Sequence, residues 1–561
     1  MKRVLSFSIL PLLFFSMSTA ANAQSCTNAV CNANSASESD VLAALPSSGN
    51  TNATVVVNIP SGNVSWSSDL KYTIPSGITN LTIQGATTIN WTGTPGTSSW
   101  AYSVNDQTII GDADPSNNAL IDIVTGSSNS KFRLSGLTLH QVSGGIKYTG
   151  DVHIEGGSHN VRIDHIHVAE NSGANQDEWF RFTGGTLGVV DHSAFELGDN
   201  TRTGNVIQAY NPYDDNIGWG DGSWAKGTQF GTVNALYIES NYFLGGAPDD
   251  CVDGARFVMR YNTLDSNYVS IQTHGLKTPG GSQRACNSYE AYHNYITGSS
   301  ASRGDGSVGA KGGTALIWGN TMAEGYYRFY AASTDRNGGD SAAETNTPNG
   351  WGYCGTTVTN PSSGSPNGVG SPWDGNTPSI TQGYPCLDGL GRGQDTQALN
   401  GQGLPNRKNS VTGTIAWPHQ YLQPIYMWNN KLYSGATYIN IRDLVTTNNR
   451  DYYYDCGSQN SSCSGSFTGA AGTGFGLKSA RPSTCTAGPG GTYFQSPTGS
   501  YGVAYFATDD NNGNGELYVC TATNTWTAVY QPLVYPHPIV SGTTTSSSTP
   551  PAPTGLVSTV Y

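Results

Sequence analysis

Seven side chains that could take part in chemistry occupy one position of a recurring strand pattern. The position precedes a recurrent asparagine, or its equivalent, by two residues, and its occupant changes along the chain from acid to arginine to aromatic. We call this set the acid–arginine–aromatic column: Asp164, Asp191, Glu239, Arg260, Tyr292, Trp318 and Trp428. Carboxylates can hold a cation, and an arginine can hold a carboxylate. The aromatic members offer flat surfaces for sugar rings. The alternative interpretation is a solvated polar face.

Neighbouring acids of the column would repel each other if the copies of the pattern stack. At the strand spacing of about 4.8 Å, two carboxylates repel by about 3 kcal/mol at an effective dielectric near ~20. Such a pair needs a cation, a shared proton or good solvation. We therefore expect Asp191 and Glu239, with Asp253 nearby, to supply oxygen ligands for Ca²⁺.

Further titratable side chains are concentrated in the next three copies of the pattern. They are Asp249, Asp250, Asp253, Arg256, His274, Arg284, Glu290 and Lys311. A single histidine or lysine is usually a surface residue, so the cluster is more informative than any one member. His165 and His192 each follow an aspartate. Because adjacent strand residues face opposite ways, we do not expect either histidine to pair with it.

The pattern itself predicts the elements that position these side chains. Short alternating apolar segments recur at spacings of 29, 27, 21, 32 and 26 residues, which suits rounds of three short strands. Such a unit buries its apolar face only against the copies above and below it. The sequence therefore predicts an all-β, parallel β-helix solenoid. The 48 residues from Asp191 to Glu239 fit two rounds or one enlarged round, and the 110 from Asn320 to Asn430 require an insertion.

Two other positions of the pattern have structural roles. One is small or apolar and should point into the core: Ile238, Met259, Ala291 and Ile317. The other is the recurrent asparagine, which tolerates a left-handed backbone and can bond to the next copy. We expect these side chains to stack at one corner: Asn241, Asn262, Asn294, Asn320 and Asn430.

Composition divides the chain into segments. Residues 1–23 are typical of a secretory signal peptide cleaved near Ala23. A short helix from Ser37 to Leu45 belongs to an N-terminal cap over 24–50. The remaining predicted segments are β-helix coils over 51–334, a Gly/Asn/Pro-rich insertion over 335–410, a β-helix continuation over 411–455, a small β insertion over 456–530, a return to the β-helix over 531–541 and a Ser/Thr/Pro-rich tail over 542–561.

Cysteine content and net charge limit the cellular compartments and the partners that we expect for this protein. Ten cysteines in an exported chain favour disulfides, with plausible pairs Cys26–Cys31, Cys251–Cys286, Cys354–Cys386, Cys456–Cys463 and Cys485–Cys520. A net charge of −13 argues against nucleic acid as a partner. No later segment has transmembrane character, so we expect no membrane insertion. The sequence predicts a secreted, extracellular or periplasmic monomer.

Several segments resemble the pectate-lyase-like superfamily of right-handed parallel β-helix proteins. Residues 161–165 (Val-Arg-Ile-Asp-His) and 189–192 (Val-Val-Asp-His) are similar to an Ile-Asp-His stretch common in pectate lyases. Residues 253–256 (Asp-Gly-Ala-Arg) and 273–275 (Thr-His-Gly) resemble exported bacterial β-helix proteins that are uncharacterised. The resemblance covers most of residues 37–540 and implies a right-handed solenoid with a short N-terminal capping helix. The superfamily includes lyases, glycoside hydrolases, epimerases, esterases and binding proteins, and fold alone does not choose among them.

Our first functional interpretation is a polysaccharide lyase acting on an acidic, uronate-containing polymer. Related enzymes neutralise the uronate with calcium or basic side chains and use arginine or lysine as the base. Here Arg260 would neutralise the substrate, His274 or Lys311 would be the base, and Arg284 would be a second carboxylate clamp. The remaining substrate-binding candidates are Arg256, Tyr292, Trp318 and Glu290.

Two alternatives stay open at this point. A glycoside hydrolase on the same scaffold would need two carboxylates, and five acids could supply them: Glu239, Asp249, Asp250, Asp253 and Glu290. A non-catalytic glycan-binding or adhesion protein would suit the long insertions and the many aromatic residues.

Overall fold

The computed structural model describes residues 26–142, 150–169, 178–197, 205–210, 221–265, 269–275, 284–298, 303–332, 388–395, 420–441, 446–489 and 499–542. Within these ranges the protein is an all-β structure, and most strands lie in long, stacked parallel sheets. The predicted signal peptide, most of the first insertion and nearly all of the tail lie outside the described residues.

Three parallel sheets carry most of the strands. Sheet 1 contains Val30–Asn32, Thr54–Asn58, Asn80–Gln84, Lys131–Ser135, Asn160–Asp164, Gly188–Asp191, Leu236–Glu239, Arg256–Arg260, Ser288–Tyr292, Thr314–Trp318, Ile425–Trp428 and Tyr452–Tyr453. Sheet 2 contains Gly62–Trp66, Thr108–Asp112, Thr138–Gln141, His167–Ala169, Ala194–Glu196, Tyr242–Leu244, Thr263–Asp265, Tyr295–Thr297, Thr321–Met322 and Lys431–Leu432.

Sheet 3 has a six-stranded part and a four-stranded part. The first contains Leu70–Thr73, Ile121–Val124, Val152–Glu155, Glu178–Phe182, Asn205–Tyr210 and Ala247–Val252. The second contains Ile271–Gln272, Arg303–Ala310, Tyr326–Ala332 and Thr437–Ile441. The chain visits sheets 1, 2 and 3 in turn and then returns to sheet 1. This order is compatible with a β-helix, in which each round packs on its neighbours.

One inward-facing row of sheet 1 forms the centre of the core. Its members pair from strand to strand and are all buried: Val57, Ile83, Leu134, Ile163, Val190, Ile238, Met259, Ala291, Ile317 and Met427. The predicted core positions are therefore confirmed. Because successive strand residues face opposite sides, the next residue of each strand faces away from this core.

The predicted asparagine stack is also confirmed. Asn262 accepts a hydrogen bond from the backbone N–H of Asn241 at 2.9 Å and donates to Oδ1 of Asn294 at 3.1 Å. The same bonds continue through Asn320 and Asn430. The residue before the asparagine, and not the asparagine itself, adopts the left-handed backbone conformation, with φ of 56° at Tyr261 and 54° at His293.

The N-terminal helix spans Glu38–Ala44, where the sequence predicts it. Ser37 begins it, because the Ser37 hydroxyl accepts a hydrogen bond from the Asp40 N–H at 3.3 Å. Val41 and Ala44 are buried in the main core. The other described helices are short: Asp221–Ala225 and Pro538–Ser541, with 3₁₀ turns at Lys478–Ala480 and Asn511–Gly513.

Three smaller β elements lie outside the parallel sheets. Thr88–Thr92 and Ala101–Asn105 form a hairpin. The hairpin and the residue after it contact the outer face of sheet 2, through Tyr102 to Glu196 and through Asp106 to His167. Arg392–Asp395, in the predicted insertion, and Gln420–Leu422, in the predicted continuation, form an antiparallel pair. The third element, which we call the C-terminal sheet, contains Thr473–Gly476, Ala504–Ala507, Glu516–Ala522 and Thr525–Tyr530.

The segment after the C-terminal sheet takes a different path from the predicted return at 531–541. It forms no further strand there. Instead it crosses the outer face of sheet 1, where the carbonyl oxygens of Leu533 and Val534 accept hydrogen bonds from Arg260. Polar side chains on that face provide such partners, whereas a new round would have to stack on an end of the sheets.

Four of the five predicted disulfides are present: Cys26–Cys31, Cys251–Cys286, Cys456–Cys463 and Cys485–Cys520. The predicted pair Cys354–Cys386 lies outside the described residues. Disulfides favour an oxidising, extracellular environment. In the part of the chain that the structure describes, no helix is long and apolar enough to cross a bilayer.

Candidate functional site

The acid–arginine–aromatic column is continuous along sheet 1. Its members pair directly from one strand to the next, from Asp164 beside Asp191 to Trp318 beside Trp428. Asp191 and Glu239 are immediate neighbours, so the 48-residue gap contains one enlarged round. The vertical alignment that the sequence predicts is therefore confirmed.

Arg260, the centre of the column, is fully buried beneath the C-terminal segment. Its guanidinium pairs with Glu239 at 2.6 Å and donates to Tyr292 Oη at 2.8 Å. The carbonyl oxygens of Leu533 and Val534 accept its remaining hydrogen bonds, at 2.7 and 3.1 Å. These contacts make Arg260 an anchor for the C-terminal segment, with no open face for a substrate carboxylate.

The aromatic end of the column is covered as well. Tyr292 and Trp318 stack with ring centroids 4.5 Å apart, and Trp428 continues the stack at 5.7 Å. Phe506 of the C-terminal sheet lies 5.1 Å from both tryptophan rings. Tyr292 and Trp428 are only 1 % exposed, so the broad faces of the stack pack against protein.

Arginines, not a shared cation, neutralise the acidic end. Arg162 donates to both oxygens of Asp191, at 2.9 and 2.8 Å. Glu239 accepts from Arg260 and from the backbone N–H of His537, the latter at 2.8 Å. These carboxylates therefore do not fit a Ca²⁺ held between them. Asp253, the third predicted ligand, lies in the turn from sheet 3 to sheet 1.

His165 and His192 do pair with the aspartates that precede them, contrary to our expectation. Nδ1 of each lies 2.9 Å from its aspartate, Asp164 or Asp191. The reason is the left-handed backbone of the histidines, with φ of 53° and 47°, which ends the strand alternation. His165 and Arg133 hold the pKa of Asp164 well below its usual range against the effect of burial, which would raise that pKa.

Arg284, Arg256 and Glu290 also serve as anchors. Arg284 is buried and pairs with Asp388 at 2.6 Å and with Asp395 at 2.9 Å, which ties the insertion region to the sheets. Arg256 donates to the backbone carbonyl of Ser223, in the helix Asp221–Ala225, and to the carbonyls of Lys226 and Gly227, which follow that helix. Glu290 accepts from the Gly231 N–H at 2.7 Å and from Tyr530 Oη at 2.6 Å.

A second outward row lies on sheet 3, and we call it the sheet 3 row. Its members pair from strand to strand: Lys71, Asp122, His153, Arg181, Gln208 and Asp250. Asp122 bonds to Lys71 at 2.9 Å and to His153 at 3.1 Å. The bond from His153 is the main reason that the pKa of Asp122 is lowered. Exposure falls along the row, from Lys71 at 65 % to the buried Asp250.

The row ends at a carboxylate–imidazole pair. Nδ1 of His274 lies 2.5 Å from Oδ2 of Asp250, and the imidazole is 29 % exposed. Burial would raise the pKa of Asp250, but the charge and hydrogen bond of His274 outweigh it and lower that pKa. In the neutral form of the imidazole, an ionised Asp250 fixes Nδ1 as the protonated nitrogen, so that Nε2 is the nitrogen that can accept a proton.

The backbone of His274 is held on both sides by one disulfide. Its N–H donates to the Cys251 carbonyl at 2.9 Å, and its carbonyl accepts from the Cys286 N–H at 3.1 Å. Cys251 and Cys286 are themselves bonded to each other. This arrangement restricts movement of the imidazole relative to Asp250.

Lys311 belongs to the following round. Gln272 pairs with Gly309, and His274 and Lys311 each lie two residues further along their own segment of chain. The Lys311 N–H donates to Thr273 Oγ1 at 3.2 Å, and its side chain is exposed. An acid, an imidazole and an amine thus follow one another on three consecutive rounds.

Asp249 and Asp250 face opposite sides of their strand. Asp249 pairs with the core residue Ile207 and points inward, whereas Asp250 pairs with Gln208 and points outward. Burial raises the pKa of Asp249 well above its usual value. Two adjacent carboxylates on opposite faces cannot act together on one glycosidic bond.

Within the described ranges, the one group of three side chains close enough to share a metal ion is Asp122, His153 and Glu155. Their ligand atoms lie within 4.8 Å of one another. However, both nitrogens of His153 already bond, to Asp122 and to Thr183 Oγ1 at 2.7 Å. This group is therefore explained by protein contacts alone.

Searches with protein-family models, among curated proteins and among solved structures each found no match to this chain. The resemblance to the pectate-lyase-like superfamily consequently stays a prediction.

Sequence reasoning found His274, Lys311 and Asp250 but missed the rest of the sheet 3 row. The recurrent asparagine lies at the corner after each sheet 1 strand that it follows. It therefore predicts which residues of sheet 1 pair, but it does not predict the pairing of sheet 3 strands. Gln208 is a polar residue between the apolar Ile207 and Ala209, and this was the available signal for its outward position.

Proposed function

We propose that this chain is a secreted, right-handed parallel β-helix protein of the pectate-lyase-like kind that cleaves an acidic polysaccharide by β-elimination. The reacting group would be Asp250, His274 and Lys311. The observation that carries this assignment is the 2.5 Å bond between a buried carboxylate and a partly exposed imidazole. A buried, oriented acid–imidazole pair is a common form of general base.

The chemistry follows from the positions of these groups. Nε2 of His274 takes the proton from the carbon beside the uronate carboxylate. The electron pair left on that carbon forms a double bond as the neighbouring carbon–oxygen bond of the glycosidic link breaks, and the leaving oxygen takes up a proton from water. The ammonium of Lys311 makes the first step easier, because it neutralises the carboxylate that would otherwise oppose carbanion formation.

The sheet 3 row would bind the polymer on one side of this group. Strands are about 4.8 Å apart, so a sugar chain lying along the row meets a polar or charged group at every step. Arg181 lies in the middle of the row, where its guanidinium packs 4.3 Å from the Tyr210 ring centroid.

Single variants test the assignment on a panel of uronic-acid polymers, followed by absorbance of unsaturated products. We expect His274→Ala to lower the rate by about 10²- to 10⁴-fold, which is the usual contribution of a general base. Asp250→Asn and Lys311→Ala should lower it less, because the imidazole remains. The matched control is His140→Ala, since His140 is a partly exposed histidine on sheet 2.

Absence of unsaturated product from the parent protein on every polymer would exclude the lyase. New reducing ends without the unsaturated chromophore would favour the glycoside hydrolase instead. Binding of a polymer with no turnover would favour the non-catalytic glycan-binding protein.

A further inference from the structure

A cavity of about 380 Å³ lies between sheet 1 and the C-terminal sheet, and we call it the aromatic cleft. Its lining combines aromatic rings, among them Tyr261, Phe475 and Tyr535, with the polar side chains of Asn429, Thr508 and Asn514. The volume lies within the range of about 300–1,000 Å³ that is typical of small-ligand sites.

Three aromatic residues of the lining are not buried: Tyr261, Tyr535 and Phe475. Tyr261 and Tyr535 stack with centroids 3.8 Å apart on one side, and Tyr535 is held by a 2.7 Å hydrogen bond to Ser240. On the other side Phe475 is 45 % exposed, although large apolar side chains are usually buried. An exposed phenyl ring beside a cavity offers a flat apolar surface to a ligand.

The polar lining groups are neutral. Among the residues that the structure describes, no aspartate, glutamate, lysine or arginine lines the cleft. Burial lowers the pKa of His293, which keeps its imidazole uncharged at neutral pH. The side chains of Asn429, Thr508 and Asn514 make no hydrogen bond within the described residues, so their amides and hydroxyl can bond to a ligand.

We propose that the aromatic cleft binds uncharged sugar rings of a glycan. A sugar ring has an apolar face of C–H groups that packs on aromatic rings and an edge of hydroxyls that bonds to amides. The neutral lining disfavours a uronate, whose carboxylate would lose its hydration without gaining a cation. The cleft belongs to the outer side of sheet 1 and the reacting group to sheet 3, so the two sites are separate.

The test uses the full chain carrying His274→Ala, so that loss of turnover cannot obscure binding. Neutral cello-, manno-, xylo- and galacto-oligosaccharides, and a uronate oligosaccharide for comparison, are titrated by calorimetry. We expect at least one neutral series to bind, and Phe475→Ala to weaken its Kd by at least about tenfold. Leu477→Ala is the matched control, because Leu477 is 57 % exposed two residues away and does not line the cleft.

Failure of every neutral series to bind, or equal effects of the two substitutions, would overturn the proposal. So would binding of the uronate oligosaccharide alone. Product formation from an acidic polymer by the otherwise unaltered Phe475→Ala protein should match the parent, which separates this site from the proposed lyase activity.

Discussion

The outer faces of sheet 1 and sheet 3 carry similar mixtures of acids and bases but differ in what lies over them. On sheet 1 the C-terminal segment buries Arg260 and Glu239 together. On sheet 3 the Lys71 ammonium is 65 % exposed, and the His274 imidazole is 29 % exposed. A row of polar side chains therefore has two uses, as an anchor for another part of the chain or as a surface for a ligand.

Removing one charge from each face is the sharpest way to test this difference. Arg260→Ala leaves Glu239 buried without its partner, and we expect a loss of about 3–5 kcal/mol in the free energy of unfolding. Lys71→Ala removes an exposed partner of Asp122 and should cost less than about 1 kcal/mol. Urea denaturation measures both, and similar losses would show that the faces are energetically equivalent.

The two sides of a single strand provide the next comparison. Asp249 faces the core, and burial raises its pKa in the folded protein. Asp249 therefore costs the protein no stability below the unfolded pKa of about 3.9, but it lowers the free energy of unfolding as the pH rises above that value. We expect Asp249→Asn to be more stable than the parent by about 1–3 kcal/mol near neutral pH. The advantage should disappear near pH ~3, where Asp249 is protonated in both states. Thermal unfolding across pH measures this, and a pH-independent difference would contradict it.

Sheet 2 is an intermediate case, because the hairpin and the residue that follows it bond to side chains on its outer face. His167 lies 2.8 Å from Asp106 and 3.7 Å from Glu196, and Tyr102 of the hairpin donates to Glu196 at 2.5 Å. Burial lowers the pKa of His167, but the two carboxylates outweigh it and raise that pKa above its usual value.

Docking of the hairpin should therefore be strongest below about pH 6.5 and should weaken as the pH rises through the folded pKa of His167. The expected change is small, less than about 1 kcal/mol. Fluorescence of Trp91 and Trp100 reports on the hairpin, and His167→Gln should remove the pH dependence. An unchanged pH profile in that variant would assign the effect to another group.

Much of the fold was accessible from local sequence. The register of the column and the asparagine stack were predicted because a recurrent asparagine, or its equivalent, identifies the turn that follows the sheet 1 strands. The pairing of His192 with Asp191 was not, because strand alternation fails where the backbone turns left-handed. The burial of Arg260 was not predicted either, since Leu533 and Val534 lie more than 270 residues away and carry no pairing signal.

The candidate site was predicted in part for the same reason. His274 and Lys311 were predicted from their chemical types. Their relative position depends on the pairing of two sheet 3 strands, and no repeated residue in the sequence indicates that pairing. Asp249 and Asp250 were grouped by adjacency in sequence, whereas the strand separates them to opposite faces.

The C-terminal segment has a further consequence for how the molecule unfolds. Stacked repeats that touch only their neighbours can melt one unit at a time. Here the chain from Phe506 to His537, which runs from the C-terminal sheet into the C-terminal segment, is bonded to, or packed on, the sheet 1 strands that carry Glu239, Arg260, Glu290, Trp318 and Trp428. Those rounds are therefore coupled into one cooperative block, while the earliest rounds, near Asn80–Gln84, remain free to fray on their own.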